Sequence, residues 1–283
     1  MRKTAWMAVH GVVFVLVSVS AAAQQRPLVT EDPETVGAGV MLVEGGFDYA
    51  FDQTYPASGL KGNLLRIPLV GVSIGVSSIA EIQLDGGFYD RLSIKERFDA
   101  PLASLVAVTG DQASDVEDFV IATKVRFMSE TARRPAFGLR FATKLPNAGN
   151  ESGLGLDTTD VHLTVLAGKT VQSVRFVGNI GLGILGNPTA GGQQNDVLLY
   201  GVSVARAVAQ GLEVVGEVNG RLHTASHDAP AGTESRAIMR LGGRYTVGAG
   251  RVDAGLVVGM TSKDPGFGVT LGFTYVFNAF RVP

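Results

Sequence analysis

The sequence predicts an all-β fold, an antiparallel transmembrane β-barrel of about 12 strands. Three observations predict it. Apolar residues recur at every second position in a series of short segments. The chain opens on an export signal, yet no later run is apolar enough for a helical span. The connections between the segments alternate between short and long.

The last segment shows the pattern most clearly. Phe267, Val269, Leu271, Phe273, Tyr275 and Phe277 alternate with Gly268, Thr270, Gly272, Thr274, Val276 and Asn278. Successive side chains on a strand point to opposite faces, so one face is large and apolar and the other small and mostly polar. A soluble sandwich also gives this pattern, with its polar face in bulk water. A membrane barrel turns the apolar face to lipid and the polar face to a lumen.

The same reading places strands at 37–51, 62–77, 79–90, 115–128, 135–145, 158–169, 173–186, 195–206, 211–223, 235–247, 250–262 and 266–278. Each is long enough to cross the apolar layer at a tilt, which takes about 9–11 residues. In 62–77 the apolar face begins on Leu65, Ile67 and Leu69 and then moves to Val70, Val72, Ile74 and Val76. Pro68 sits at the change. Proline cannot donate to a ladder, so a bulge there shifts the phase. In 115–128, Phe119, Ile121, Val125 and Phe127 oppose Asp118, Lys124 and Arg126; in 135–145, Phe137, Leu139 and Phe141 oppose Arg140 and Lys144. In 211–223, Leu212, Val214, Val218 and Leu222 oppose Glu213, Glu217, Asn219 and Arg221. In 235–247, Ala237, Met239, Leu241 and Tyr245 oppose Arg236, Arg240 and Arg244. Aromatic residues gather near the strand ends, as at a membrane interface: Phe47, Tyr49 and Phe51; Phe88 and Tyr89; Tyr275, Phe277 and Phe280.

Connections after even-numbered strands are short: 77–78, 129–134, 170–172, 207–210 and 248–249. Most after odd-numbered strands are longer, notably 91–114, 146–157, 187–194 and 224–234. Short periplasmic turns and long outer loops produce this rhythm. Lys263-Asp264-Pro265 is a short turn where a long loop is expected.

Composition bounds the rest. Arg2 and Lys3, the apolar run 11–19 and Ala21-Ala22-Ala23 read as a signal peptide over residues 1–23, leaving 24–283 as a single outer-membrane barrel domain. The alternative is an uncleaved N-terminal anchor, although the run is shorter than the roughly 20 residues a span needs. With 24 basic and 26 acidic residues and no basic stripe, the chain gives no reason to expect a nucleic-acid partner. The absence of cysteine excludes disulfides and thiolate metal sites. Glycine contributes 37 residues, near twice the usual ~7%. Gly181, Gly183, Gly255, Gly259, Gly268 and Gly272 lie inside strand patterns, where small residues relieve crowding on a curved inner wall.

Two segments carry a family resemblance. Arg26-Pro27-Leu28-Val29-Thr30-Glu31-Asp32, with Thr35 and Gly39, is followed by Leu145-Pro146 and then Gly153-Leu154-Gly155-Leu156-Asp157-Thr158-Thr159-Asp160. In order and spacing these resemble the MetA-pathway-of-phenol-degradation family, over most of the mature chain. The resemblance implies a transporter-like barrel in the outer membrane of a Gram-negative bacterium. By the family's name alone, it also implies uptake of hydrophobic or aromatic compounds. Arg281-Val282-Pro283 after Phe280 departs from the aromatic ending usual in such barrels.

Chemistry concentrates on the inward faces. The expected lumen-lining charges are Glu81, Asp85, Lys124, Arg126, Arg140, Lys144, Glu213, Glu217, Arg236, Arg240, Arg244 and Asp253. Opposed signs on neighbouring strands form cross-strand pairs. They either make a charged constriction that selects solutes or fill the lumen with salt bridges. His162 with Asp160, and His223 with His227 and Asp228, read as polar-face and loop residues rather than as catalytic or metal sites. Asp111, Asp115, Glu117 and Asp118 read as a solvated strand entry. No catalytic residue, cofactor or metal is assigned. The expected activity is passage of small solutes. The alternatives are a structural or adhesive barrel with a plugged lumen and an envelope hydrolase. Expected partners are outer-membrane lipid and lipopolysaccharide, the barrel-assembly machinery and a small-molecule solute.

Overall fold

The computed structural model describes residues 26–281. The signal-peptide expectation for 1–23 lies outside the described residues. Fourteen strand segments follow in chain order: β1 (Val40–Tyr55), β2 (Leu60–Gly75), β3 (Ala80–Gly87), β4 (Asp90–Arg97), β5 (Gln112–Asp115), β6 (Val120–Met128), β7 (Ala136–Lys144), β8 (Asp160–Val171), β9 (Val174–Gly186), β10 (Gln194–Ala209), β11 (Leu212–His223), β12 (Arg236–Val247), β13 (Gly250–Gly259) and β14 (Phe267–Asn278). Every pairing is antiparallel, and β1 pairs with both β14 and β2, which closes the sheet on itself. No free edge remains in the ring, so every stave finds its backbone partners within the sheet.

Fourteen segments make twelve staves. β3 and β4 hold one register against β2, with Leu69 opposite Gly87 and Arg66 opposite Asp90. β5 and β6 likewise hold one register against them, with Asp90 opposite Asp115 and Asp85 opposite Val120. The interruptions in three adjacent staves, at Ile67-Pro68, Phe88-Tyr89 and 116–119, lie side by side. The register of β1 on β2 shifts between Gly46 and Asp48, opposite Pro68. That shift is the expected bulge. It leaves Leu64 and Arg66 on the same inner face as Gly71 and Gly75.

The facing follows the sequence pattern. Leu271 and Phe273 are both 53% exposed, whereas Thr270 and Thr274 are 4% and 1% exposed. The outer face carries ring pairs at both ends: Phe127 with Phe137 and Tyr275 with Phe277 near the short turns, Phe51 with Phe267 and Phe88 with Phe119 near the long loops. These rows flank the apolar band as interfacial aromatics do. The turns at 172–173, 210–211 and 248–249 are two-residue hairpins, and Gly211 and Gly248 supply the positive φ that such turns require.

The segment 91–114 is not the open loop the sequence suggests. β4 and β5 extend two staves beyond the apolar band, and there the alternation is inverted. Leu92 and Ile94 point inward while Arg91, Ser93 and Lys95 occupy the other positions of the strand. Leu60, Leu64, Leu92 and Ala113 form a buried cluster joined by Tyr55, Ile94, Val106, Val108 and Leu154. Three hydrogen bonds tie the loops above it: Leu102 N–H to Ala57 O at 2.8 Å, Ala107 N–H to Glu151 O at 2.9 Å, and Ser58 Oγ to Gly153 O at 2.7 Å. The long-loop end therefore carries a cap with its own small core.

Candidate functional site

The inner wall is built first from its own pairs. On β3 and β6, Glu81 faces Lys124 across the ladder, and their charged atoms meet at 2.9 Å with both side chains fully buried. On β7, Arg140 donates to Gln83 Oε1 at 2.7 Å and reaches Asp85 at 3.5 Å. Lys144 bridges Asp118 at 2.8 Å and Asp160 at 3.3 Å. On β11 and β12, Arg240 meets Glu217 at 3.0 Å and Arg244 meets Glu213 at 2.7 Å, each pair in register. Arg236 stands opposite Arg221 in the ladder. It donates instead to Lys263 O at 2.6 Å and lies 3.8 Å from Asp264, in the short turn that replaces a long loop.

What the sequence reading missed is the segment before β1. Residues 26–39 run inside the barrel as a strap along the inner wall, touching the staves almost in their spatial order. Val36 N–H donates to Glu81 at 2.7 Å. Glu34 pairs with Arg126. Asp32 takes two bonds from Arg175, at 2.8 and 2.6 Å, the parallel geometry that makes guanidinium–carboxylate pairs strong. Glu31 lies 3.2 Å from Lys124 and 3.1 Å from Arg140. Its backbone is held as a strand would hold it: Asn179 Oδ1 accepts from Glu31 N–H at 2.7 Å, and Asn179 Nδ2 donates to Glu31 O at 2.8 Å. Val29 and Thr30 donate their N–H groups to the Glu217 carboxylate at 2.7 to 3.0 Å. Leu28 packs on Ala205 and Val215. Arg26 ends the described strap. It donates to Thr270 Oγ1 at 2.8 Å and lies 3.6 Å from Asp253 and 3.8 Å from Asp48.

Wall glycines give this strap its room. A side chain at Gly46 or Gly272 would collide with the Arg26 guanidinium, and one at Gly201 would sit 2.9 Å from Thr30 Oγ1. A side chain at Gly168 would meet the Arg175 guanidinium and lie 3.0 Å from Pro33, and one at Gly138 would lie 3.3 Å from Pro33. Glycine in a strand often marks a close approach of another backbone. Here the approaching chain is the protein's own N-terminal segment.

The electrostatics of the strap match the wall on each side. Its three carboxylates, on Glu31, Asp32 and Glu34, meet a basic arc of Lys124, Arg126, Arg140 and Arg175. Its one cation, Arg26, meets Asp48 and Asp253. Lys124 is wholly buried between Glu31 and Glu81. Removing one partner of such a buried pair costs about 3–5 kcal/mol, because the remaining charge stays desolvated. At the short-turn end, burial disfavours the Glu130 carboxylate. The Thr170 N–H, Lys169 and Arg175 outweigh that cost and hold its pKa below the ordinary value.

Beyond the strap, on the long-loop side, lies a cavity of about 380 Å³. Arg26, Leu28, Val29 and Glu31 of the strap form its floor. Glu44, Asp48, Arg66, Asp85, Glu117, Arg140, His162 and Arg240 give it charge of both signs, and Leu69, Val70 and Val120 give it an apolar side. That apolar side flanks the interruptions in the three staves. A smaller cavity of about 160 Å³ also touches Asp48, Arg66 and Arg240.

The remaining candidates resolve into local structure. Asp115 and Asp118 accept backbone N–H groups of 147–149, at 2.8 to 2.9 Å, and so shape that loop. His223 Nε2 lies 2.7 Å from His227 O, and His227 Nδ1 lies 2.9 Å from Asp228 O. Among the described residues no group of His, Asp and Glu is arranged to hold a metal ion.

No protein-family model matches the chain, and no curated protein matches it in sequence. Solved structures do match it. The COG4313 outer membrane channel from Pseudomonas putida F1 superposes with a TM-score of 0.61 at 14% identity, over 87% of this chain and 98% of that one. The NanC porin gives a TM-score of 0.50 at 8% identity, over 83% of this chain and 98% of that one. At these identities the likeness is one of fold. The chain is a closed antiparallel barrel of the bacterial outer-membrane kind, similar in architecture to a channel and a porin.

Proposed function

We propose that the protein carries small solutes across the outer membrane of a Gram-negative bacterium, and that residues 26–39 are the gate on that route. The observation that carries this reading is the strap itself. A barrel built only as a scaffold has no need of a lumen with a cavity above a separate, ion-paired segment. The cavity pairs charged groups with Leu28, Val29, Leu69, Val70 and Val120, so it suits small amphipathic molecules. The resemblance to the phenol-degradation family extends that expectation to hydrophobic and aromatic compounds. Cleavage of residues 1–23, insertion beside lipopolysaccharide and delivery by the barrel-assembly machinery complete the reading.

The chain has no cysteine, which makes a clean test available. Thr30 lies against Gly201, so Thr30→Cys with Gly201→Cys places two thiols where a disulfide locks the strap to β10. In vesicles, solute flux through the oxidised double variant should fall at least tenfold below that of the same protein after reduction. Equal flux in both states would exclude the strap as a gate. If deletion of 26–36 also gave no flux, the barrel would be a plugged structural element.

A further inference from the structure

We infer that the basic arc of Lys124, Arg126, Arg140 and Arg175 is a binding site for a small polycarboxylate, which the strap occupies as an internal mimic. The inference rests on the gated-passage reading for its biological consequence, though not for its test.

The arc already holds carboxylates in this structure, those of the protein's own strap. Its four cations project from β6, β7 and β9 toward the lumen, and three carboxylates within four residues of the strap sit in it. Arg175 holds Asp32 through two nitrogens, Lys124 and Arg140 converge on Glu31, and Arg126 holds Glu34. That is how a protein recognises a compact anion with several carboxylates: planar guanidinium groups for direction and an ammonium as a buried point charge. The wall does not neutralise the arc alone. Glu81 answers Lys124, Asp85 lies at 3.5 Å from Arg140, and Glu130 answers Arg175, while Arg126 meets Glu34 of the strap.

Exchange follows from the same arrangement. If the strap simply left, it would strip carboxylates from desolvated cations. An incoming anion that supplies replacement carboxylates removes that obstacle, so ligand binding and strap release are coupled. A ligand shifts such an equilibrium only through its differential affinity for the two states. Here the difference is built in, because the strap and the ligand compete for the same four side chains. The cavity above the strap, into which Glu31 and Arg140 project, is the approach on the long-loop side.

The test reads strap release rather than transport. In the full mature chain folded in lipid vesicles, Thr30→Cys introduces one thiol, which is 5% exposed as threonine. Its rate of modification by a small charged thiol reagent reports release. Citrate at millimolar concentration should raise that rate at least fivefold, whereas sodium chloride at matched ionic strength should not. Adding Arg126→Gln and Arg175→Gln should raise the basal rate and abolish the citrate increment. Folding of that variant is checked by circular dichroism. If it does not fold, the single Thr30→Cys variant alone decides. Equal acceleration by citrate and chloride would mean general screening and would overturn the site, as would no acceleration by citrate or an increment that survives both substitutions. A gate that fails the disulfide test but responds to citrate would sink the passage reading and leave the binding site standing.

Discussion

Lys124 concentrates the chemistry of the inner wall in one side chain. It is 0% exposed and touches two carboxylates, one from the wall and one from the strap. A hydrophobic replacement leaves Glu31 and Glu81 buried without it, so Lys124→Met should destabilise the folded barrel by about 3–5 kcal/mol in urea titrations. Adding Glu31→Gln should recover part of the loss, because the two residues share one network and their effects do not add. The outer wall gives the opposite kind of prediction. Leu271 is exposed to lipid at mid-strand, and an arginine at the bilayer midplane of a barrel costs about 2–4 kcal/mol. Leu271→Arg should show that cost in lipid vesicles. Gly191→Arg, in a long loop with nothing near its Cβ position, should show almost none.

At the scale of the element, Pro68 sets the phase of β2. Deleting it would move residues 60–67 by one position and turn Arg66 from lumen to lipid. The deletion should abolish folding into vesicles, assayed by protease resistance, whereas Pro68→Ala should keep the extra residue and fold. This bulge was legible in the sequence because the apolar residues change phase beside a proline. So were the twelve staves, since each alternates large apolar with small or charged residues. The cap was not legible. In β4 the alternation is inverted, with Leu92 and Ile94 inward, because that end lies beyond the lipid and buries its apolar face in its own core. Nor was the strap. Residues 26–39 have no period, two prolines and scattered charge, which reads as a linker. The available signal was a run of three acids, Glu31, Asp32 and Glu34, just before β1, set against a row of cations, Arg126, Arg140 and Arg175, on strands further along the chain. Sequence spacing cannot bring those two sets together, because the contact crosses the interior of a closed ring.

At the scale of the whole molecule, the orientation follows from the cap and the strap together. The strap joins β1 at the short-turn end, and the cap covers the other. Single cysteines at Ser226 and Ala249, both exposed, separate the two ends. An impermeant maleimide on intact cells should label Ser226→Cys and spare Ala249→Cys; the reverse would invert the barrel. The strap also sets the field in the lumen. It carries one cation and three carboxylates, so deleting residues 26–36 should raise conductance and move the reversal potential toward anion preference. An unchanged ion preference would mean that the strap's charges do not face the conducting path.

The position of Arg26 also bears on how the barrel is made. It lies inside the ring, against β1 and β14, the two strands whose pairing closes the sheet. The strap precedes every strand in the chain, and it must be within the curve of the sheet before that seam zips. Once the seam is shut, the bore is its only way in or out. A bulky fusion placed just before Arg26 should therefore stall closure or leave the strap outside, whereas the same fusion in the exposed loop at Gly191 should be carried on a finished barrel.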